Sequence, residues 1–129
     1  MGAMADARSG CSPAFLDHLR APRGVGTLDA PTHRGDVEDA VCGDRLTLEL
    51  RVVGGRVVEA RQRAEGCHGA VAVGSALATL LPGREARPDA VSVADLEAAL
   101  GGVPGAKRHA LRLATDGVRA ALRTPLARG

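Results

Sequence analysis

Two cysteines, an aspartate and a histidine carry most of the chemistry this chain offers. Cys42 and Asp44 stand two positions apart, just ahead of the alternating run Leu46, Leu48, Leu50; Cys67 follows Gly66 and opens an apolar segment; His109 lies near the start of a C-terminal stretch with helical periodicity. Read as strand residues i and i+2, Cys42 and Asp44 project from one face. Two thiolates, an imidazole and a carboxylate form a four-ligand set for Zn(II), or for iron with or without sulfide. Placed at helix N-termini, Cys67 is favoured as thiolate and His109 as neutral imidazole by unpaired N–H groups and the helix dipole. Spacing alone leaves an incidental grouping and a metal site both standing, because Cys-x-Asp with a distant Cys and His has no diagnostic separation. Two neighbours attach to the set. His68 is either a substitute ligand or a surface histidine, and Lys107 either steers an anion to the site or belongs to a basic stripe. Cys11 reads as an incidental thiol, and His18 and His33 as exposed or loop residues without a role.

The elements that must position these residues are legible in outline. Ser12-Pro13 gives an N-cap followed by proline in the first turn, and Phe15, Leu16 and Leu19 form the stripe of a short helix ended by Pro22. Residues 23–41 are rich in Gly, Pro, Asp and Thr and hold at most an irregular edge strand near Val37–Val41. Arg45–Val53 alternates as a half-buried strand, and Gly54-Gly55 turns it into a partner from about Val57 to Ala64. A three-residue loop there would align Val58 and Ala60 with the leucines, and is the expected register. The segment after Cys67, AVAVGSALATLL, has no polar face and reads as a buried helix. Ser92 with Asp95 resembles a capping box for a helix through Leu100, closed by Gly101-Gly102. A last helix is expected from about Ala106 to Leu122, burying Leu111, Ala114, Val118 and Ala121. The order implies an α+β domain over residues 12–123, a small antiparallel sheet with helices on one face, between a disordered lead (1–11) and a disordered tail (124–129).

At 129 residues the chain suffices for one domain with its own core, although Phe15 is its only aromatic residue. Three cysteines, and no apolar run behind a basic start, argue against a disulfide framework and make a reducing cytoplasm the expected setting. No segment reaches the roughly twenty apolar residues of a membrane span. Charge nearly cancels, 17 basic against 15 acidic residues, and aromatics for stacking bases are absent, so nucleic acid is not an expected partner. From Gly105 onward six basic residues (Lys107, Arg108, Arg112, Arg119, Arg123, Arg128) face one acid, Asp116: a solvated helix face, or a docking surface for an acidic protein.

Four stretches, FLDHLRAPRGVG (15–26), CGDRLTLELRV (42–52), GRVVEARQRAEGCHGAVAVGSAL (55–77) and KRHALRLATDGVRAAL (107–122), together resemble the scaffold family of iron-sulfur cluster assembly: IscU, SufU and the N-terminal domain of NifU. The likeness runs collinearly from Ser12 to Leu122, and the lack of an insertion before the last helix sets it nearer IscU than SufU. It implies a SufE/NifU-like fold: three antiparallel strands with helices on one face. It also implies a non-enzymatic site that takes sulfur from a cysteine desulfurase, assembles a transient [2Fe-2S] cluster and passes it to recipient apo-proteins. Carried over by position, Cys42, Asp44, Cys67 and His109 are the metal ligands, and Cys42 and Cys67 the sulfur-acceptor candidates. The family's third cysteine, a ligand and sulfur acceptor in IscU-like members, is Ala110 here. The Leu-Pro-Pro-Val-Lys segment read by the dedicated Hsp70 chaperone is Val-Pro-Gly-Ala-Lys (103–107), which puts that partner in doubt. A mononuclear Zn(II) or Fe(II) site is as easily made from the four residues. The alternatives are therefore an accessory or regulatory metal-binding protein on the same fold, and a persulfide relay that builds no cluster.

Overall fold

The computed structural model describes residues 11–123 together with Pro125 and Leu126. The ends expected to be disordered lie outside the described residues except at Cys11, Pro125 and Leu126; Leu126 N–H donates to Thr32 O at 2.8 Å.

Helix α1 (Pro13–Arg20) begins where Ser12 and Pro13 place it: Ser12 Oγ accepts the Phe15 N–H at 3.0 Å, and Phe15 is fully buried. The edge strand is β1 (His33–Glu38), four residues earlier than the expected start at Val37. Gly35 explains the shift. A Cβ there would lie 2.5 Å from the backbone N of Ala121, so only glycine lets β1 lie this close to the last helix. Strands β2 (Arg45–Val53) and β3 (Arg56–Glu65) complete an antiparallel sheet of order β1-β2-β3.

The hairpin corrects the expected register. Its loop has two residues, Gly54 and Gly55, both at positive φ (60° and 76°), the pairing that matches strand twist. Val52 pairs with Val57 and Arg51 with Glu59, leaving Val58 as the extra residue of a β-bulge. Ala60 faces Leu50 as expected, but through the bulge. Val57, not Val58, enters the core: Val57 is fully buried and Val58 exposed.

The buried helix α2 (His68–Leu80) and the last helix α4 (His109–Arg123) pack on the leucine face, with α1 and α3 (Val93–Leu100) against α2. Leu46, Leu48 and Leu50 are fully buried, each contributing about 1.5–3 kcal/mol as an upper bound. The opposite face is charged, with Arg51–Glu59 (2.8 Å) and Arg45–Asp36 (3.3 Å) as cross-strand ion pairs. Helix α3 carries the expected capping box: Ser92 Oγ accepts Asp95 N–H and Asp95 accepts Ser92 N–H. The last helix begins at His109 rather than Ala106, because Gly105–Lys107 form a 3-10 turn first. His109 is thus the opening residue of α4. No helix among the described residues is long and apolar enough to cross a membrane.

His18 and His33 depart from the exposed or loop roles read in the sequence. His18 is buried in α1, with Nδ1 2.7 Å from Ser75 Oγ of α2. His33 opens β1, half-buried, 2.9 Å from Thr32 Oγ1. Burial holds both imidazoles below the usual histidine range, and the Arg23 guanidinium adds to this at His18.

Candidate metal centre

Three element ends meet at one end of the sheet: the turn before β2, the N-terminus of α2 and the N-terminus of α4. Asp44 leads into β2 with 1% exposure. Its Oδ1 accepts the Cys67 N–H at 2.9 Å, its Oδ2 accepts the Cys67 thiol at 3.1 Å, and His109 Nε2 lies 3.0 Å from Oδ2. Cys67 Sγ stands 3.7 Å from His109 Nε2. Burial pushes the Asp44 carboxyl up, but the hydrogen bonds from Cys67 and His109 outweigh it and hold the group below the usual carboxylate range. Cys67 is the N-cap residue of α2, as the Gly66-Cys67 junction predicts, so its thiol sits at the helix mouth.

Cys42 is not where its spacing placed it. Residues 39–43 form a turn, with Gly43 N–H donating to Asp39 O (2.7 Å), and β2 begins only at Arg45. The chain is not yet extended at Cys42, so the alternation rule does not apply there. Asp44 turns inward and Cys42 outward, where it is exposed. Its sulfur belongs to a second grouping, Asp39–Cys42–His109, whose ligand atoms all lie within 4.8 Å of one another; Asp44–Cys67–His109 meets the same limit. His109 is common to both. The residual packing around Cys42, with the Asp39 and Asp44 carboxylates, pushes its thiol up from the ordinary value.

Asp39 is the residue that sequence reasoning missed. Its Oδ1 accepts the N–H groups of Val41 (2.9 Å) and Cys42 (3.3 Å), an Asx turn. An aspartate two and three residues ahead of a Val-Cys-Gly turn carries that signal.

Of the attached residues, His68 is exposed at the first position of α2. Lys107 ends the 3-10 turn, where a Cβ on Gly69 would lie 3.1 Å from both Lys107 Cβ and Ala110 Cβ. Ala110 is fully buried in this close contact between the first turns of α2 and α4. A cleft of about 570 Å³ opens beside the centre, with Asp39, Arg108, His109 and Arg112 in its lining. Arg108 is paired to Glu97 (2.7 Å) and Arg119 to Asp116 (3.3 Å), while Lys107, Arg112 and Arg123 make no ion pair among the described residues.

The arrangement offers a hard carboxylate and soft sulfur around one imidazole, a donor set that suits a borderline divalent ion. The site is partly open, with His109 half-buried and Cys42 exposed, so an ion held there retains exchangeable positions.

Comparison with known proteins agrees with this architecture. Residues 11–128 match the family described as NifU-like N terminal domain. A bifunctional protein NifU/MnmA from Rubrobacter xylanophilus is 41% identical over 112 residues, covering 84% of this chain and 23% of the relative. The chain thus spans about a quarter of that protein. The iron-sulfur cluster assembly scaffold protein IscU 1 of Archaeoglobus fulgidus is 32% identical over 112 residues, covering 86% of this chain and 73% of the relative. The crystal structure of a NifU-like protein (N-terminal) from Brucella abortus superposes with a TM-score of 0.68 at 19% identity, over 87% of this chain and 91% of that one. By sequence and by fold, the chain belongs to the NifU-like N-terminal domain family.

Proposed function

We propose that this chain is an iron-sulfur cluster assembly scaffold: it receives iron and sulfur at Cys42, Asp44, Cys67 and His109, holds a [2Fe-2S] unit transiently and surrenders it to recipient apo-proteins. It has no catalytic turnover of its own. The observation that carries this reading is the Asp44–Cys67–His109 cluster, formed from three separate element ends with Asp44 buried at its centre. A buried carboxylate hydrogen-bonded to a thiol and an imidazole is a costly arrangement for packing alone.

Cys42 supports the sulfur-accepting half. It stands on an exposed turn beside the exposed Val41, where a docking cysteine desulfurase would reach it. As thiolate it attacks the terminal sulfur of the donor's persulfide; the new S–S bond forms as the old one breaks, and the donor cysteine leaves as thiolate. No net oxidation occurs. Lys107 and Arg112, which make no ion pair among the described residues, favour anionic cargo and an acidic partner face. These steps suit a reducing, cytoplasmic setting.

A second reading is favoured by one observation, the fully buried Ala110 where a third sulfur would stand. On that reading the chain holds one Zn(II) or Fe(II) as an accessory protein. Anaerobic incubation of the reduced chain with Fe(II), cysteine, a desulfurase and a thiol reductant, which takes the persulfide sulfur to sulfide, separates the two. Visible sulfide-to-iron absorption that is lost in C67S supports the scaffold. A colourless product that still holds the one zinc it was isolated with supports the accessory role. A persulfide on Cys42 without bound metal supports a relay and overturns both.

A further inference from the structure

We infer that Asp39 is a metal ligand, acting with Cys42 and His109 in the outer half of the centre. The inference rests on the metal-binding reading above and names a residue which that reading does not use.

The inner group provides three donors: Asp44, Cys67 and His109. Borderline divalent ions in closed sites take four ligands. Cys42 is the remaining sulfur, yet it faces outward on the 39–43 turn, where the carboxylate nearest in grouping is Asp39. An ion that engages Cys42 and His109 therefore meets Asp39 as well, with all three donor atoms within 4.8 Å of one another.

The Asp39 carboxylate is already aimed and half-used. Oδ1 holds the N–H groups of Val41 and Cys42, which fixes the side chain over the turn and orients the cysteine that follows. Among the described residues, no hydrogen bond or ion pair engages Oδ2. That oxygen is left to bind a cation with no competing contact to break, and its side chain is already ordered, so ligation costs little conformational entropy. Asp39 also lines the cleft beside His109, which gives an ion a path to it.

The plain alternative is that Asp39 serves only its turn. Asparagine separates the two roles, because its Oδ1 accepts the same two N–H groups while its amide nitrogen cannot ligate. The probe is Co(II), titrated anaerobically into the reduced full-length chain, read by thiolate-to-cobalt charge transfer and d-d bands and by competition with a chromophoric chelator. D39N should keep the apo fold by circular dichroism and weaken Co(II) by about 10- to 100-fold, the loss that even indirect ligand partners produce. C42S should weaken it comparably, and D39N/C42S should cost less than the sum of the two, since both contact one ion. Should D39N fold poorly, D39S retains an oxygen acceptor for the turn and takes its place. Wild-type affinity in D39N or D39S, or full additivity with C42S, overturns the role of Asp39 and leaves the metal centre intact. Failure of the wild-type chain to bind Co(II) overturns the metal-binding reading itself.

Discussion

A Cβ placed on Gly66 would lie 2.1 Å from Asp44 Oδ1, far inside the non-bonded contact distance of carbon and oxygen. The carboxylate fills the space that any other residue would need, and Gly66 holds φ at +124°, which L side chains rarely adopt. Glycine at 66 is therefore a condition for the thiol–carboxylate pair. G66A should destabilise the fold by about 1–3 kcal/mol. It should also weaken metal binding more than G43A, since Gly43 has nothing within 4 Å of its Cβ position although its φ is positive too. Denaturation midpoints and metal titrations on both variants check this.

Ala110 tests the proposed cluster directly, since on that reading its position is where a third sulfur would stand. A110C adds a thiol at the first turn of α4, one residue from His109 and against Gly69. The close contact makes room tight, so a stability loss of roughly 1 kcal/mol is expected. If the natural chain retains its cluster weakly, A110C should slow loss of the visible chromophore to a chelator at least tenfold. An unchanged release rate would show that sulfur at 110 does not reach the iron.

The hydrogen bond between His18 and Ser75 gives the fold an acid-sensitive joint. The folded value of His18 is depressed below 6.5 by burial and by Arg23. Between the folded and unfolded values the unfolded chain binds more protons, so the neutral form's contribution is complete above about pH 6.5 and is lost as pH falls toward the folded value. His33 acts in the same direction. Urea midpoints measured on metal-free protein should fall from pH 7.5 to 5.5, and H18N should show a shallower slope.

The contact of β1 with α4 can be tested without touching the metal centre. A Cβ on Gly35 would lie 2.5 Å from Ala121 N and 2.8 Å from Gly117 O, both backbone atoms that cannot move aside. G35A should cost about 1–3 kcal/mol, seen as a lower denaturation midpoint. The surface pair Arg108–Glu97 is a useful contrast: both side chains are substantially solvated, and E97Q should change stability by less than about 1 kcal/mol.

Local chemistry made much of this fold legible. Ser12-Pro13, Ser92 with Asp95, and the apolar run after Cys67 each start a helix where their capping or burial pattern requires. Several of the errors share one cause, a contact distant in sequence. Strand β1 is set by the fit of Gly35 against α4 rather than by its own alternation, and the bulge at Val58 lets Val57 and Ala60 both face inward, which no two-fold pattern contains. His18 looked solvated until Ser75 of α2 was brought beside it. At the centre, Asp44, Cys67 and His109 converge as their residue types suggested. Cys42 and Asp44 part company because a turn, not a strand, joins them.

The centre is built on margins. Asp44 precedes its strand, Cys67 caps a helix, and His109 opens another just after the 3-10 turn at Gly105–Lys107. Helix ends fray at far smaller free energies than cores unfold. A brief unwinding at residues 105–109 would withdraw the imidazole from its sulfur and carboxylate neighbours while the leucine sheet stays shut, so on the proposed function a bound ion would have an exit that leaves the core folded.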